Sequence, residues 1–190
     1  MKYYYTRNDM VLDYCKPGST ICEIGVFCGE FAQKLLETNP QKLVLIDPWQ
    51  GVVGSGDVDG NNYMNYDLDK VYEQLLETTR NIPIIDLRRG FSGNILHDYP
   101  DNFFDFIYID GDHSYPGCKL DLNISWSKIK PGGIIAGHDY EMNSKKTNNY
   151  YNFGVKDAVD EFCNQKGLRI SAKAIDGCVS YAIEIPNIKG

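Results

Sequence analysis

The sequence predicts a doubly wound α/β domain whose mostly parallel, seven-stranded sheet ends in an antiparallel hairpin. Five short apolar stretches read as strands, helical patterns separate them, and an Asp-Gly pair near the C-terminus divides two further strand-like runs. Alternation of strand and helix places parallel strands under right-handed crossovers. A chain of 190 residues is enough for one such core, so residues 1–190 are expected to form one domain.

The strands fall at Thr20 to Ile24, Lys42 to Ile46, Pro83 to Leu87, Phe104 to Ile109 and Gly133 to Ala136. These runs are largely apolar and rich in β-branched or aromatic residues, as strands covered on both faces are. Phe31, Leu35 and Leu36 mark the helix after the first strand. Met64, Leu68, Val71, Tyr72, Leu75 and Leu76 mark the second, and Cys118, Leu122, Trp126 and Ile129 the third. A short helix around Met10 to Tyr14 precedes the first strand. Beyond the fifth, Val155, Ala158, Val159, Phe162 and Cys163 predict another helix. The runs Leu168 to Ile175 and Cys178 to Ile185 then flank Asp176-Gly177, a favoured two-residue hairpin turn.

Composition excludes several classes of function. The longest apolar runs, such as Phe103 to Ile109 with Asp105 inside it, fall far short of the roughly 20 residues of a membrane span. No membrane partner is expected. Met1 to Arg7 lacks the basic region, apolar core and cleavage site of a secretory signal, which predicts a cytoplasmic protein. The six cysteines form no Cys-x-x-Cys pair and are expected as reduced thiols. With 19 Lys and Arg against 26 Asp and Glu, the net charge of -7 repels phosphate backbones, so no nucleic-acid partner is expected. The glycine-rich stretch from Gly51 to Asn62 follows the second strand's carboxyl end and reads as a lid over a ligand.

The chemistry concentrates where strands end. The first strand runs into Glu23-Ile24-Gly25-Val26-Phe27-Cys28-Gly29, a turn that opens a helix. Phe27 stands where a dinucleotide fingerprint requires its second glycine and would crowd a pyrophosphate. Asp47 closes the second strand, at the spacing where an acidic side chain meets ribose hydroxyls; its alternative is a turn-forming Asp before Pro48. After the third strand comes Arg89-Gly90-Phe91-Ser92, in which Ser92 has an ordinary alternative as the cap of Gly93 to Leu96. The stretches Tyr108 to Tyr115 and Pro131 to Tyr140 follow the fourth and fifth strands. They should bring Asp110, His113, His138 and Asp139 to one mouth of the sheet. His97 carries no motif, Asp112 reads as a loop cap, Asp121 as a residue near its helix start, and Tyr115 and Trp126 as core or substrate platform.

Glu23, Gly25 and Gly29 match the acidic-x-Gly-x-x-x-Gly motif of the class I S-adenosylmethionine-dependent methyltransferases, and on those residues the chain resembles that family. The resemblance implies a Rossmann-like sheet closed by a hairpin, and S-adenosylmethionine as cofactor. It puts the backbone from Gly25 to Gly29 around the methionine portion, Glu23 near the ammonium and Asp47 on the ribose. Phe91 and Ser92 fall at the adenine, and Asp110 beside the cofactor. The string from Ile109 to Tyr140 further resembles the macrocin-type sugar O-methyltransferases and cephalosporin hydroxylase-like proteins.

This second resemblance implies methyl transfer to a hydroxyl of a small acceptor, a sugar or glycan residue such as a deoxyhexose. In metal-dependent relatives an Asp and an adjacent acidic pair hold a divalent ion. Asp110 and Asp139 match, while His138 replaces the first acid of the pair. A mixed nitrogen and oxygen set of Asp110, His138 and Asp139 admits manganese as well as magnesium. Asp110, His113 and His138 are the implied catalytic groups, with His113 a further ligand or the base. Larger relatives carry extra N-terminal elements, and the open alternatives are a minimal enzyme, a homo-oligomer or a domain of a larger glycan-assembly protein. The competing readings are a non-catalytic S-adenosylmethionine-binding subunit, a methyltransferase for a non-sugar small molecule, and an NAD-linked oxidoreductase.

Overall fold

The computed structural model describes residues 1–50, 66–141 and 153–188. In chain order the elements are β1 (Lys2–Tyr4), α1 (Arg7–Tyr14), β2 (Thr20–Ile24), α2 (Glu30–Leu36), β3 (Lys42–Asp47), α3 (Leu68–Thr79) and β4 (Ile85–Arg89). They continue with α4 (Ser92–Ile95), β5 (Phe104–Ile109), α5 (Tyr115–Lys128), β6 (Ile129–Gly137), α6 (Val155–Lys166), β7 (Ala172–Asp176) and β8 (Cys178–Glu184). The expected lid from Gly51 to Asn62, and Met64 of the second helical pattern, lie outside the described residues.

The strands form one sheet in the order β1-β7-β8-β6-β5-β2-β3-β4. All neighbours run parallel except β6–β8 and β7–β8, the second of which is the terminal antiparallel hairpin. The seven expected strands are present, and β1 adds an eighth at the edge beside β7. Its three residues are too short and too exposed to show a buried-strand pattern. The hairpin is tighter than the Asp-Gly pair predicts: Asp176 pairs with Cys178, and the chain reverses across Gly177 alone, at φ 104.

Neighbouring residues along each central strand pack on opposite faces. On one face Cys22, Val44, Ile46, Ile107 and Ile135 meet Leu122 of α5 and Phe162 of α6; on the other Ile21, Leu43, Leu45, Phe106 and Tyr108 meet Val11 of α1 and Leu35 of α2. β2 is buried at all five positions, and burying one such aliphatic side chain contributes roughly 1.5–3 kcal/mol. Trp126 and Tyr115 belong to this packing: the Trp126 ring sits edge-on to Phe162 at 6.0 Å, and the Tyr115 hydroxyl donates to Glu161. Both contact α6.

The chain moves outward from β2 in both directions, through β3 to β4 and through β5 to β6, so the carboxyl ends of β2 and β5 border the switch point where such sheets take ligands. α1 is fastened beside that opening. Thr6 and Asp9 form a reciprocal capping box at its start, and the Arg7 amide donates to Asp176 of the hairpin at 2.9 Å. Among the described residues no helix is long and apolar enough to cross a membrane. All six cysteines are free.

Candidate active site

At the cofactor end, strand pairing brings two chain segments into close contact. The Asp110 amide donates to the Ile24 carbonyl at 2.7 Å, and the Gly25 amide to that of Ile46 at 2.9 Å. Gly25 has φ +87, and a Cβ there would stand 2.0 Å from the Asp110 carbonyl oxygen, so only glycine fits. Gly29, at φ +78, caps α2 where a Cβ would meet Leu75.

Between these glycines Phe27 holds a left-handed conformation, φ 49, which a bulky residue adopts only when its surroundings impose it. Asp47 imposes it. Its Oδ2 accepts from the amides of Val26 at 2.9 Å and Phe27 at 3.0 Å, and its Oδ1 from that of Trp49 at 2.7 Å. Trp49 returns its indole N–H to the Phe27 carbonyl at 2.9 Å. Asp47 is therefore first a clamp on the glycine turn. A carboxylate has about four acceptor positions, so three amides leave one for a further donor.

Glu23 lies below this turn and is 1% exposed. Burial pushes its carboxyl well above the usual range; the charges of Asp110 and Asp47 push the same way and Arg7 opposes them. Its Oε2 has no hydrogen-bond partner. A buried acceptor left unmatched costs about 1–3 kcal/mol and marks a place where a donor belongs.

In the segment after β4, Phe91 is half-exposed and serves as the backbone cap of α4; Ser92 is the first helical residue and makes no cap bond. The Ser92 hydroxyl instead donates to Asp121. Asp121 sits mid-way along α5 rather than at its start, 3% exposed, and burial pushes its carboxyl up to about 7 against the Ser92 bond. Asp112 accepts the Ser114 amide at 2.9 Å, as a loop cap, and His97 is exposed.

At the reaction end the four expected ionisable groups converge. His113 Nε2 lies 3.3 Å from Asp110 Oδ1 and 3.2 Å from Asp139 Oδ2; His138 Nδ1 lies 3.2 Å from Asp139 Oδ2 and 3.8 Å from Asp110 Oδ1. One ligand atom each from Asp110, His113 and Asp139 falls within 4.8 Å of the others, close enough to share a cation. This set takes His113 where the sequence reading placed His138, which flanks it.

Burial disfavours the Asp139 carboxylate, yet the His138 hydrogen bond, the charges of His113 and His138 and a bond from the Cys178 thiol hold it below its usual range. For His138 burial disfavours the cation, but Asp139 and Asp110 outweigh it and raise the imidazole. Burial and Asp139 push the Cys178 thiol up to about 11, which keeps its proton in place for donation. Asp139 is held at φ 58. The His113 ring stacks on Phe153 at 5.2 Å, and its carbonyl accepts the Gly154 amide at 2.8 Å.

Sequence reasoning missed two members of this site. Cys178 follows the hairpin turn, where no motif singles it out. Arg7 arrives from the N-terminal segment: its guanidinium is 3.4 Å from Asp110 Oδ2 and lies over the Phe31 ring at 4.7 Å. The Thr6-x-x-Asp9 box was the available signal, since it fixes Arg7 in the first turn of a helix.

These features are those of a methyltransferase. A family profile described as a methyltransferase domain matches residues 22–140, more than half of the chain, and the chain belongs to that family. The matched stretch contains Glu23, the glycine turn, Asp47 and the whole Asp110 to Asp139 cluster. No curated protein matches the chain. Among solved structures, the N-methyltransferase NodS from Bradyrhizobium japonicum is similar at a TM-score of 0.64 and 14% identity, over 95% of this chain and 94% of that one. The same protein in complex with S-adenosyl-L-homocysteine gives 0.65 at 14% identity, over 95% and 86%. A SAM-dependent methyltransferase from Aquifex aeolicus gives 0.61 at 19% identity, over 95% and 90%. At such identities the likeness establishes the fold, a mostly parallel sheet with its terminal hairpin.

Proposed function

We propose that the protein transfers a methyl group from S-adenosylmethionine to a hydroxyl of a small acceptor, a sugar or glycan residue such as a deoxyhexose. The observation that carries this is the convergence of Asp110, His113, His138 and Asp139 directly beside the Gly25 turn, where the Asp110 amide itself bonds the end of β2. An amine acceptor needs far less help than a hydroxyl, and such a cluster supplies that help.

The residues present fit the cofactor. Glu23 offers a buried, unmatched acceptor for an ammonium, and Asp47 keeps an acceptor position for a ribose hydroxyl. Phe91 presents an exposed ring for the adenine. Carboxylates around this pocket favour a sulfonium and oppose a diphosphate. When bound, S-adenosylmethionine supplies a methyl carbon already activated by its sulfonium. The chain's part is then to align the acceptor and move one proton.

His138 is held toward its cationic form by Asp139 and Asp110, which suits it to orient Asp139. His113 is the proton acceptor in this reading: its ring stacks on Phe153, its Nε2–H faces both carboxylates, and Nδ1 is the nitrogen that takes the proton. The donors also fit a divalent ion. Asp110, His113 and Asp139 would hold it, with His138 alongside, and it would supply charge that lowers the hydroxyl's proton affinity. A set containing imidazole suits manganese better than magnesium.

Mass spectrometry of candidate glycans incubated with an isotopically labelled methyl donor, with and without chelator, tests this. Label on a sugar oxygen supports the proposal, and loss of transfer with chelator supports a divalent ion at the cluster. Label confined to amines, or full turnover in both His113→Ala and Asp110→Ala, contradicts it.

A further inference from the structure

The methyltransferase site contains one cation that its chemistry has not used. Arg7 lies at the start of α1, held by its amide on Asp176, its guanidinium beside Asp110 and bonded to Tyr108, and the Phe31 ring beneath it. Phe31 belongs to the first turn of α2, two residues beyond Gly29, so the guanidinium stands directly over the exit of the glycine turn.

Arg7 is incompletely used. The Asp110 contact is long at 3.4 Å, and a guanidinium has five N–H donors, more than that contact and a bond to Tyr108 consume. Its side chain remains 29% exposed. The Tyr108 ring and Phe31 are themselves buried and lie 4.2 Å apart, which gives the guanidinium a rigid bed.

The second observation is Glu23, 1% exposed with an unmatched Oε2, whose carboxyl feels the charges of both Arg7 and Asp110. An unmatched carboxyl oxygen and an underused guanidinium beside one glycine turn are complementary to a single chemical group. That group is a zwitterionic α-amino acid, with its ammonium toward the carboxylate and its carboxylate toward the guanidinium.

We propose that Arg7 is a cofactor-binding residue that holds the carboxylate of the amino-acid end of the sulfonium cofactor while Glu23 holds its ammonium. This rests on the cofactor reading above and assigns a residue outside the matched family region. Taking the carboxylate draws Arg7 away from Asp110. Asp110 then faces only His113 and His138, so cofactor binding completes the reaction end.

Calorimetric titration separates this role from a structural one. Wild type, Arg7→Gln and Arg7→Lys are each titrated with S-adenosylhomocysteine, with its decarboxylated derivative and with 5′-methylthioadenosine, which lacks the amino-acid end. The proposal predicts that Arg7→Gln loses roughly 10- to 100-fold in affinity for S-adenosylhomocysteine, while affinity for the two ligands without a carboxylate stays within about 2-fold of wild type. Arg7→Lys recovers part of the loss. Equal losses for all three ligands, or no loss for S-adenosylhomocysteine, overturn the proposal. If wild type itself takes up none of the three, the cofactor reading fails and the role of Arg7 fails with it.

Discussion

The two halves of the mouth handle charge in opposite ways. At the ends of β2 and β3, Asp47 spends its oxygens on three backbone amides, and the result is a turn locked in one shape. At the ends of β5 and β6, Asp110 and Asp139 meet side chains of His113, His138, Cys178 and Arg7. Side chains can exchange partners at little cost, whereas backbone amides cannot move without unfolding the turn. The first arrangement preorganises a binding surface; the second leaves protons and partners free to move, as catalysis requires.

Substitutions on the two sides should therefore separate turnover from stability. His113→Ala is expected to lower kcat by roughly 10²- to 10⁴-fold, with thermal stability and S-adenosylhomocysteine affinity near wild type. Steady-state kinetics beside a melting curve checks this, and a melting temperature that falls in step with activity would move His113 to the structural side.

Asp47→Ala should do the reverse. It strands three amides and costs about 3–5 kcal/mol of unfolding free energy, measured by urea denaturation. Gly25→Ala sharpens the boundary because Gly25 touches both halves. A Cβ at 2.0 Å from the Asp110 carbonyl, on a left-handed residue, should cost roughly 2–4 kcal/mol and weaken cofactor binding too.

The smallest effect concerns Asp121, which lies behind both halves. Its folded carboxyl is raised to about 7, above the ordinary 3.8, so the native state binds more protons than the unfolded chain between those values. The contribution of Asp121 to stability should accordingly be fullest at acid pH and fall by roughly 1–3 kcal/mol as pH climbs from about 4 to about 7, then level off. Asp121→Asn should flatten that slope, which denaturation at a series of pH values reads directly.

The interior strands were legible because burial on both faces leaves an apolar run that no other element of that length produces, as Val44 to Ile46 illustrates. β1 was not, since three residues at a sheet edge, two of them exposed, carry no such run. The convergence of Asp110, His113, His138 and Asp139 followed from parallel topology, which sends successive strand ends to one side. How the two histidines share the two carboxylates, His113 close to both and His138 closer to Asp139, is invisible in spacing. Asp47 was read as a ligand for ribose, while most of its bonding goes to the turn. Ser92, read as cap or adenine contact, is bonded to Asp121 across 29 residues of sequence, a contact no local pattern encodes. Arg7 entered the site through the same kind of distant contact.

The central claim is that the pocket at Gly25 accepts a sulfonium nucleoside and rejects a dinucleotide. Calorimetry of the wild-type chain with S-adenosylhomocysteine and, separately, with NADH tests it most directly. Saturable uptake of S-adenosylhomocysteine with no heat from NADH is the predicted result, and tight NADH binding with S-adenosylhomocysteine ignored is the result that contradicts it.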